Sequence, residues 1–269
     1  MGVWRLVAAF NRRTEISGVF LMSPLRRSIV FGGPSLVGLV NLAHPLIRPP
    51  IFRAVTQHLP WWTTLHLLNL LLFPILGLAA YLLIKDVQGI AALLSKIAIV
   101  IFIPVYVAFD ALAGVGTGIL VGQGRAFSPA NLPAIESLID SYWTSPVISL
   151  IAATGSIAWV IAMLSASVAF ADVTRRRFAA ICALLVFVVG GWAQVYIFLP
   201  SVGGPIPLLW WLITFCEALA VFLVANPRIP ATVLTLAALL FGASHVTPTG
   251  PIGMLCFLIA AIYLAPPRS

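Results

Sequence analysis

Charged side chains are scarce in this chain. Only 8% of its 269 residues are Asp, Glu, Lys or Arg, against about 25% in water-soluble domains, whose surfaces must face solvent. Hydrophobic residues make up 61%, more than a soluble fold of this length can hide, so a soluble globular enzyme is excluded. Cysteine is as thin. Cys182, Cys216 and Cys256 lie inside apolar runs with no CxxC spacing, which argues against disulfide or thiolate-metal chemistry and makes them small buried hydrophobes. Walker loops, nucleophile elbows and dinucleotide fingerprints are also missing, as are the HExxH, HxxxH and CxxCH spacings of local metal and haem motifs.

What the chain has instead is long apolar runs. A bilayer core about 30 Å thick requires roughly 20 apolar residues per helix, because no water is present to satisfy irregular backbone. Runs near residues 28 to 46, 61 to 84, 90 to 121, 145 to 170, 178 to 199, 205 to 225, 230 to 246 and 250 to 266 meet or approach that length. The fold expected is therefore all-α, a polytopic transmembrane helical bundle of about eight spans forming one domain over residues 28 to 266. Treating residues 230 to 266 as one broken or re-entrant element gives a seven-span alternative, since Val246, Thr247, Pro248, Thr249 and Gly250 read as a turn. Residues 1 to 27 are read as a retained cytoplasmic arm: arginines flank a weak apolar run with no cleavage-site pattern. In that arm Trp4, Val7, Ala8 and Phe10 alternate with basic residues, as in an interfacial helix.

The net charge of +8 has a topological explanation. With the N-terminus inside, the inner set holds Arg5, Arg12, Arg13, Arg26, Arg27, Lys85, Lys96, Arg175, Arg176, Arg177, Arg228 and Arg268. Only Arg48, Arg53 and Arg125 of the 15 Lys and Arg residues remain outside. This is the positive-inside bias of a multi-pass protein of the cell membrane, and the partner it implies is the lipid bilayer. Nucleic acid is not implied, because a footprint for it needs a basic stripe on one folded face.

Outer loops carry further pattern. Residues 48 to 60 contain Pro49, Pro50 and Pro60 and lead into Trp61 and Trp62, expected as an aromatic belt at the outer interface. Between 131 and 143, Leu132, Ile135, Leu138, Ile139, Tyr142 and Trp143 recur at helical spacing with Glu136 and Asp140 off that face, predicting an amphipathic helix on the outer surface or capping the bundle. Gly114 and Gly118 form a GxxxG that lets another helix approach closely. Pro74 and Pro104 fall inside spans and are expected to kink them.

Ionisable groups inside spans are costly and mark candidate sites. With the topology above, His44, His58, His66, Asp110 and His245 all fall in the outer half. His66, Asn69 and Phe73 share one helical stripe, which His58 and Trp62 extend if the helix starts early enough, and Tyr106, Asp110, Gly114 and Thr117 share another. A polar pocket opening outward is expected, lined by His44, His66, Asn69, Asp110, Gln194, Tyr196 and His245. Imidazoles with a carboxylate suit a metal ion, held by His44, His66, His245 and Asp110, and two imidazoles facing across a bundle suit haem iron. The ordinary alternatives are a helix-end His44, an interfacial His58, and His66 or His245 bonded to a carbonyl. Asp110, amid Phe109, Ala111 and Leu112, needs a partner or a proton. Glu217 is a second mid-span carboxylate, whereas Lys96 can snorkel to the inner headgroups. No lysine lies in the last three spans, which argues against a rhodopsin-type Schiff base.

The segments NLAHP at 41 to 45, HLLNLLLFP at 66 to 74, AFDALAGVGTG at 108 to 118 and GPIGMLCFLIAA at 250 to 261 resemble uncharacterised multi-pass membrane proteins of bacteria. The likeness covers most of the chain and names no activity for it. Alkaline ceramidases and progestin-type receptors are a poorer comparison, because they place an HxxxH late in the chain, where His245 here is followed at i+4 by Thr249. Three functions remain open: a binding or transport protein with the outward pocket, a metal- or haem-dependent membrane enzyme or redox protein, and a structural subunit of a membrane complex.

Overall fold

The computed structural model describes residues 23–45, 49–170, 229–246 and 248–264. The expected spans at 178 to 199 and 205 to 225, most of the N-terminal arm, the Arg175 to Arg177 run, Gln194, Tyr196 and Glu217 lie outside the described residues. Helix α1, Pro24–Leu42, starts where Ser23 accepts the Arg26 backbone N–H at 3.3 Å and Pro24 occupies the first turn, a position that needs no donor from the chain. Arg26 then reaches the far end of α3, Leu59–Ile84, donating to Asp86 at 2.7 Å and to the Leu82 carbonyl at 2.6 Å. The start of α1 thus lies at the end of α3, and the two run antiparallel.

Between them, residues expected only as loop form a short helix α2, Ile51–Thr56. A ruler for membrane spans does not register an element of this length. The next connection turns at Gly89, whose φ of 110° is one that side-chain-bearing residues rarely adopt. Helix α4 then runs Ile90–Gly124 for 35 residues, with a π-helical segment at Asp110–Gly116. At 1.5 Å per residue it is about 52 Å long, well over the roughly 30 Å of a hydrocarbon core. Its last turns are wrapped by α2 and by α5, Leu132–Trp143, through Ile51, Phe52, Val55, Trp62, Val121 and Ile139. Glu136 and Asp140, predicted off the apolar face of α5, tie this cap together: Arg53 donates to both Glu136 oxygens, and the Ile51 N–H donates to Asp140 at 2.9 Å. Leu138 departs from the expected inward face and is 64% exposed, because α2 covers only the Ile135 and Ile139 side.

Helix α6, Pro146–Phe170, is followed among the described residues by α7, Ile229–Ala243, and α8, Thr249–Leu264. Although helical structure is nearly continuous over Pro129–Phe170, it breaks at Thr144 and Ser145, so Pro146–Phe170 is the spanning part. Helix α1 packs against α3 and α8, α3 against α4, α4 against α6, α6 against α7, and α7 against α8, which closes a ring. The ring is stitched antiparallel by Ser95 to the Ala162 carbonyl at 2.8 Å, Thr235 to Ser167 at 3.2 Å and Trp159 to the Ala237 carbonyl at 3.3 Å. Alanines on facing surfaces, among them Ala98, Ala158, Ala162, Ala237, Ala238, Ala260 and Ala261, let the backbones approach.

The distribution of polarity is inside-out relative to a soluble bundle. Asn41, His66, Asn69, Ser95, Asp110, Thr117, Ser167 and Thr235 are buried, while Leu67, Leu71, Ile97, Val100, Leu150 and Ile262 are at least 49% exposed. Lipid accepts such an outer face and water does not. The described residues form an all-helical bundle in which three helices, α3, α4 and the one including α6, are long and apolar enough to cross a membrane.

Candidate functional site

The buried histidines, asparagines and Asp110 gather at one end of the bundle. Asn41 and His44 come from the end of α1, Trp62, His66 and Asn69 from the first half of α3, Tyr106 and Asp110 from α4, and His245 from the turn after α7. Arg26, Asp86, Lys85 and Lys96 occupy the opposite end, where the Lys96 ammonium donates to the carbonyls of Lys85 and Val87.

His66 sits one helical turn beyond Trp62 and seven residues before Phe73, on the buried stripe of α3. Its Nδ1 lies 2.9 Å from Asp110 Oδ1, and both side chains are buried. An ionised carboxylate can only accept, which puts a hydrogen on Nδ1, and in the neutral imidazole Nε2 then holds the lone pair. His44 makes the same choice by other means: its Nδ1 donates to the Pro45 carbonyl at 2.8 Å. His245 Nδ1 lies 3.0 Å from the Tyr106 hydroxyl. The Nε2 atoms of His44, His66 and His245 are all buried, and none has a hydrogen-bond partner among the described residues.

The rings are close. His44 stands 5.2 Å from His66 and 5.5 Å from His245 between centroids, nearly perpendicular to each. Trp62 covers His66 at 4.3 Å and His44 at 5.5 Å, and Phe73, Tyr106 and Phe109 flank His245 at 5.8, 5.7 and 6.1 Å. Below them Asn41 and Asn69 exchange side-chain hydrogen bonds at 3.4 and 3.3 Å. Asn69 also faces the Asp110 carboxylate, without a hydrogen bond of good geometry.

The π-helical segment sets the position of Asp110 and opens two carbonyls to outside partners. Trp62 Nε1 donates to Gly114 O, and the Tyr142 hydroxyl of the cap donates to Leu112 O, both at 2.8 Å. Such segments inside α-helices are frequent at functional sites. Close approach depends on Gly114, where a Cβ would stand 2.8 Å from His66 Cβ, and on Gly118, where it would stand 2.9 Å from Thr63 Oγ1. The turn carrying His245 is equally tight: a Cβ on Gly250 would stand 2.7 Å from His245 Cα, while Thr249 donates to the Ser244 carbonyl at 3.0 Å.

The structure therefore brings together His44, His66, Asp110 and His245, with Asn69 adjoining. His58 is exposed at the start of α3 and apart from them. Trp62 is a correction to the expected belt: it is fully buried against the histidines, and only Trp61, 39% exposed with Nε1 on the Ala43 carbonyl, faces outward. Four-residue spacing from Trp62 to His66 was the available signal for this. Tyr106 as the partner of His245 had no comparable local signal. As they stand, no group of three or more His, Cys, Asp and Glu among the described residues is arranged to hold a metal ion.

No family model matches the chain, and neither a curated protein nor a solved structure is similar to it.

Asp110→Asn is the least disruptive test of its internal bonding. The amide keeps the shape and an acceptor for His66, and side-chain hydrogen bonds between membrane helices contribute about 1 kcal/mol each. A melting curve of the variant in detergent is expected to show a loss of about that size. A loss several times larger would mean that the charge of Asp110 holds the bundle together.

Proposed function

We propose that the chain is a polytopic protein of the cell membrane with eight spans and both termini on the cytoplasmic side, and that it binds or transports a ligand through the polar cluster at its outer end. The observation that carries this reading is the set of three buried imidazole Nε2 atoms that meet no partner among the described residues, around a carboxylate whose Oδ1 is engaged by His66. Each unsatisfied buried group costs about 1–3 kcal/mol. A bundle that only needed helix-to-helix bonds would satisfy them or replace them with apolar side chains. The arginines and lysines of the opposite end, Arg26, Arg27, Lys85 and Lys96 among the described residues, support a cytoplasmic assignment for that end.

Orientation is tested with an impermeant thiol reagent on intact cells, in a background where Cys182, Cys216 and Cys256 are alanine. A cysteine at Ser128 or Ser137, beside the cap, is expected to react. One at Thr174 is expected to react only after the cells are opened, and a C-terminal reporter is expected to read cytoplasmic. Labelling at Thr174 from outside would reverse the topology, and an external C-terminus would favour seven spans.

A further inference from the structure

Taking the cluster to be the ligand site just described, we propose that its ligand is a transition-metal cation held by the Nε2 atoms of His44, His66 and His245. Each histidine has its other ring nitrogen committed: to the Asp110 carboxylate, to the Pro45 carbonyl and to the Tyr106 hydroxyl. For His66 and His44 that is the outer pattern of metal-bound histidines, in which a carboxylate or a carbonyl fixes the tautomer and points the remaining lone pair at the metal, and the Tyr106 hydroxyl can accept from His245 Nδ1 to complete the set. Three Nε2 atoms, each on a side chain at least nine-tenths buried, meet no hydrogen-bond partner among the described residues.

Ring separations decide what kind of metal site is possible. With metal-nitrogen bonds of about 2.0–2.1 Å, two imidazoles at a tetrahedral angle hold their centroids about 5 Å apart, and two imidazoles on opposite sides of a haem iron about 6 Å or more. The distances of 5.2 and 5.5 Å from His44 to His66 and to His245 match the first case for those two pairs. Trp62 over His66 and the phenyl rings around His245 also occupy the space a macrocycle would need. The site as placed is not closed into a coordination shell, so binding must draw the rings inward. His44 is suited to that movement because it follows the end of α1, outside helical restraint.

All-imidazole donors without thiolate suit zinc, copper, iron or nickel, and not magnesium or calcium. The negative charge of Asp110, passed through His66, offsets part of the cation's charge in a region where an uncompensated charge costs several kcal/mol. Protons compete for the same three lone pairs, so affinity falls on acidification.

The test uses the full chain purified in detergent, stripped with a chelator and titrated with Co2+, followed by visible absorption and by Zn2+ competition. One equivalent with the intense bands of tetrahedral Co2+ is expected, displaced by Zn2+. His66→Gln and His245→Gln should abolish the bands, Asp110→Asn should weaken binding about 10- to 100-fold, and His58→Gln should leave it unchanged. A wild-type protein that melts cooperatively yet shows no such bands overturns the proposal, as does undiminished binding in a protein with all three histidines replaced. A separate readout tracks the ligand site itself: Thr117→Cys in the cysteine-free background should react slowly with a small cationic thiol reagent from outside. Reaction there without Co2+ binding removes the metal and keeps an outward pocket, whereas failure of both removes the pocket as well.

Discussion

Trp62→Ala is expected to cost about 3–5 kcal/mol, the range for deleting a fully buried tryptophan and leaving a cavity. Trp62 is 0% exposed and stands at the junction of two regions, touching His44 and His66 on one side and Trp143 of the cap on the other. Its removal strips van der Waals contact from α2, α4 and α5 together and takes one donor from Gly114 O. Trp62→Phe separates these contributions. It keeps most of the ring volume and loses the N–H, so a loss of about 1 kcal/mol is expected. Melting temperatures of the two variants in the same detergent check both figures. If alanine and phenylalanine were equally mild, Trp62 would be the interfacial belt residue that its place beside Trp61 suggests from sequence alone.

Gly114→Ala is the second large effect. The added methyl would be driven into Cβ and the ring of His66, and His66 has no free space to yield because Trp62 covers its other side. Overpacking of this kind costs about 1–3 kcal/mol. The functional loss is expected to exceed the loss in stability, because the shift separates His66 from Asp110 and moves one of three Nε2 atoms. The diagnostic result is a folded variant with a melting point lowered by a few degrees and little remaining affinity for Co2+. Gly122→Ala, on the same helix with only Leu59 Cδ2 at 3.8 Å, serves as the control and is expected to behave as wild type. Full Co2+ affinity in Gly114→Ala would show that the α3 to α4 contact does not position the site.

The helices were largely legible because lipid imposes a simple demand on their composition. Runs expected at 61 to 84, 90 to 121 and 145 to 170 correspond to Leu59–Ile84, Ile90–Gly124 and Pro146–Phe170, and the turn before Gly250 separates α7 from α8 as expected. The first helix begins four residues earlier than hydropathy suggests. Its boundary is set by the Ser23 cap and Pro24, and Arg26 is tolerated inside because Asp86 and a carbonyl receive it. Helix α2 was invisible to a ruler of about 20 residues.

Among the site residues, His66, Asn69 and Asp110 were legible from stripe and depth, since each lies at helical spacing from other inward positions. His44 was not distinguishable in sequence from an ordinary helix-end residue. What places it in the cluster is the closure of the ring by α8 against α1, which brings the end of α1 within reach of the turn after α7. Nothing local to NLAHP encodes that. The π-helical segment was equally silent, because Asp110 to Gly116 differs from α-helix in hydrogen-bond register and not in composition.

Closure of the ring by its last helices has a consequence for how the protein is made. His245 is 179 positions beyond His66, and at synthesis rates of about 5–20 residues per second it emerges roughly 10–40 s later. For that interval α1 and α3 are in place with their imidazoles and no third one. The face of α1 that will receive α8 is meanwhile left to lipid or to the insertion machinery. The three imidazoles are not together until the C-terminal hairpin docks. The complete cluster is thus a property of the finished bundle, formed only once the end of α1 and the turn after α7 have met.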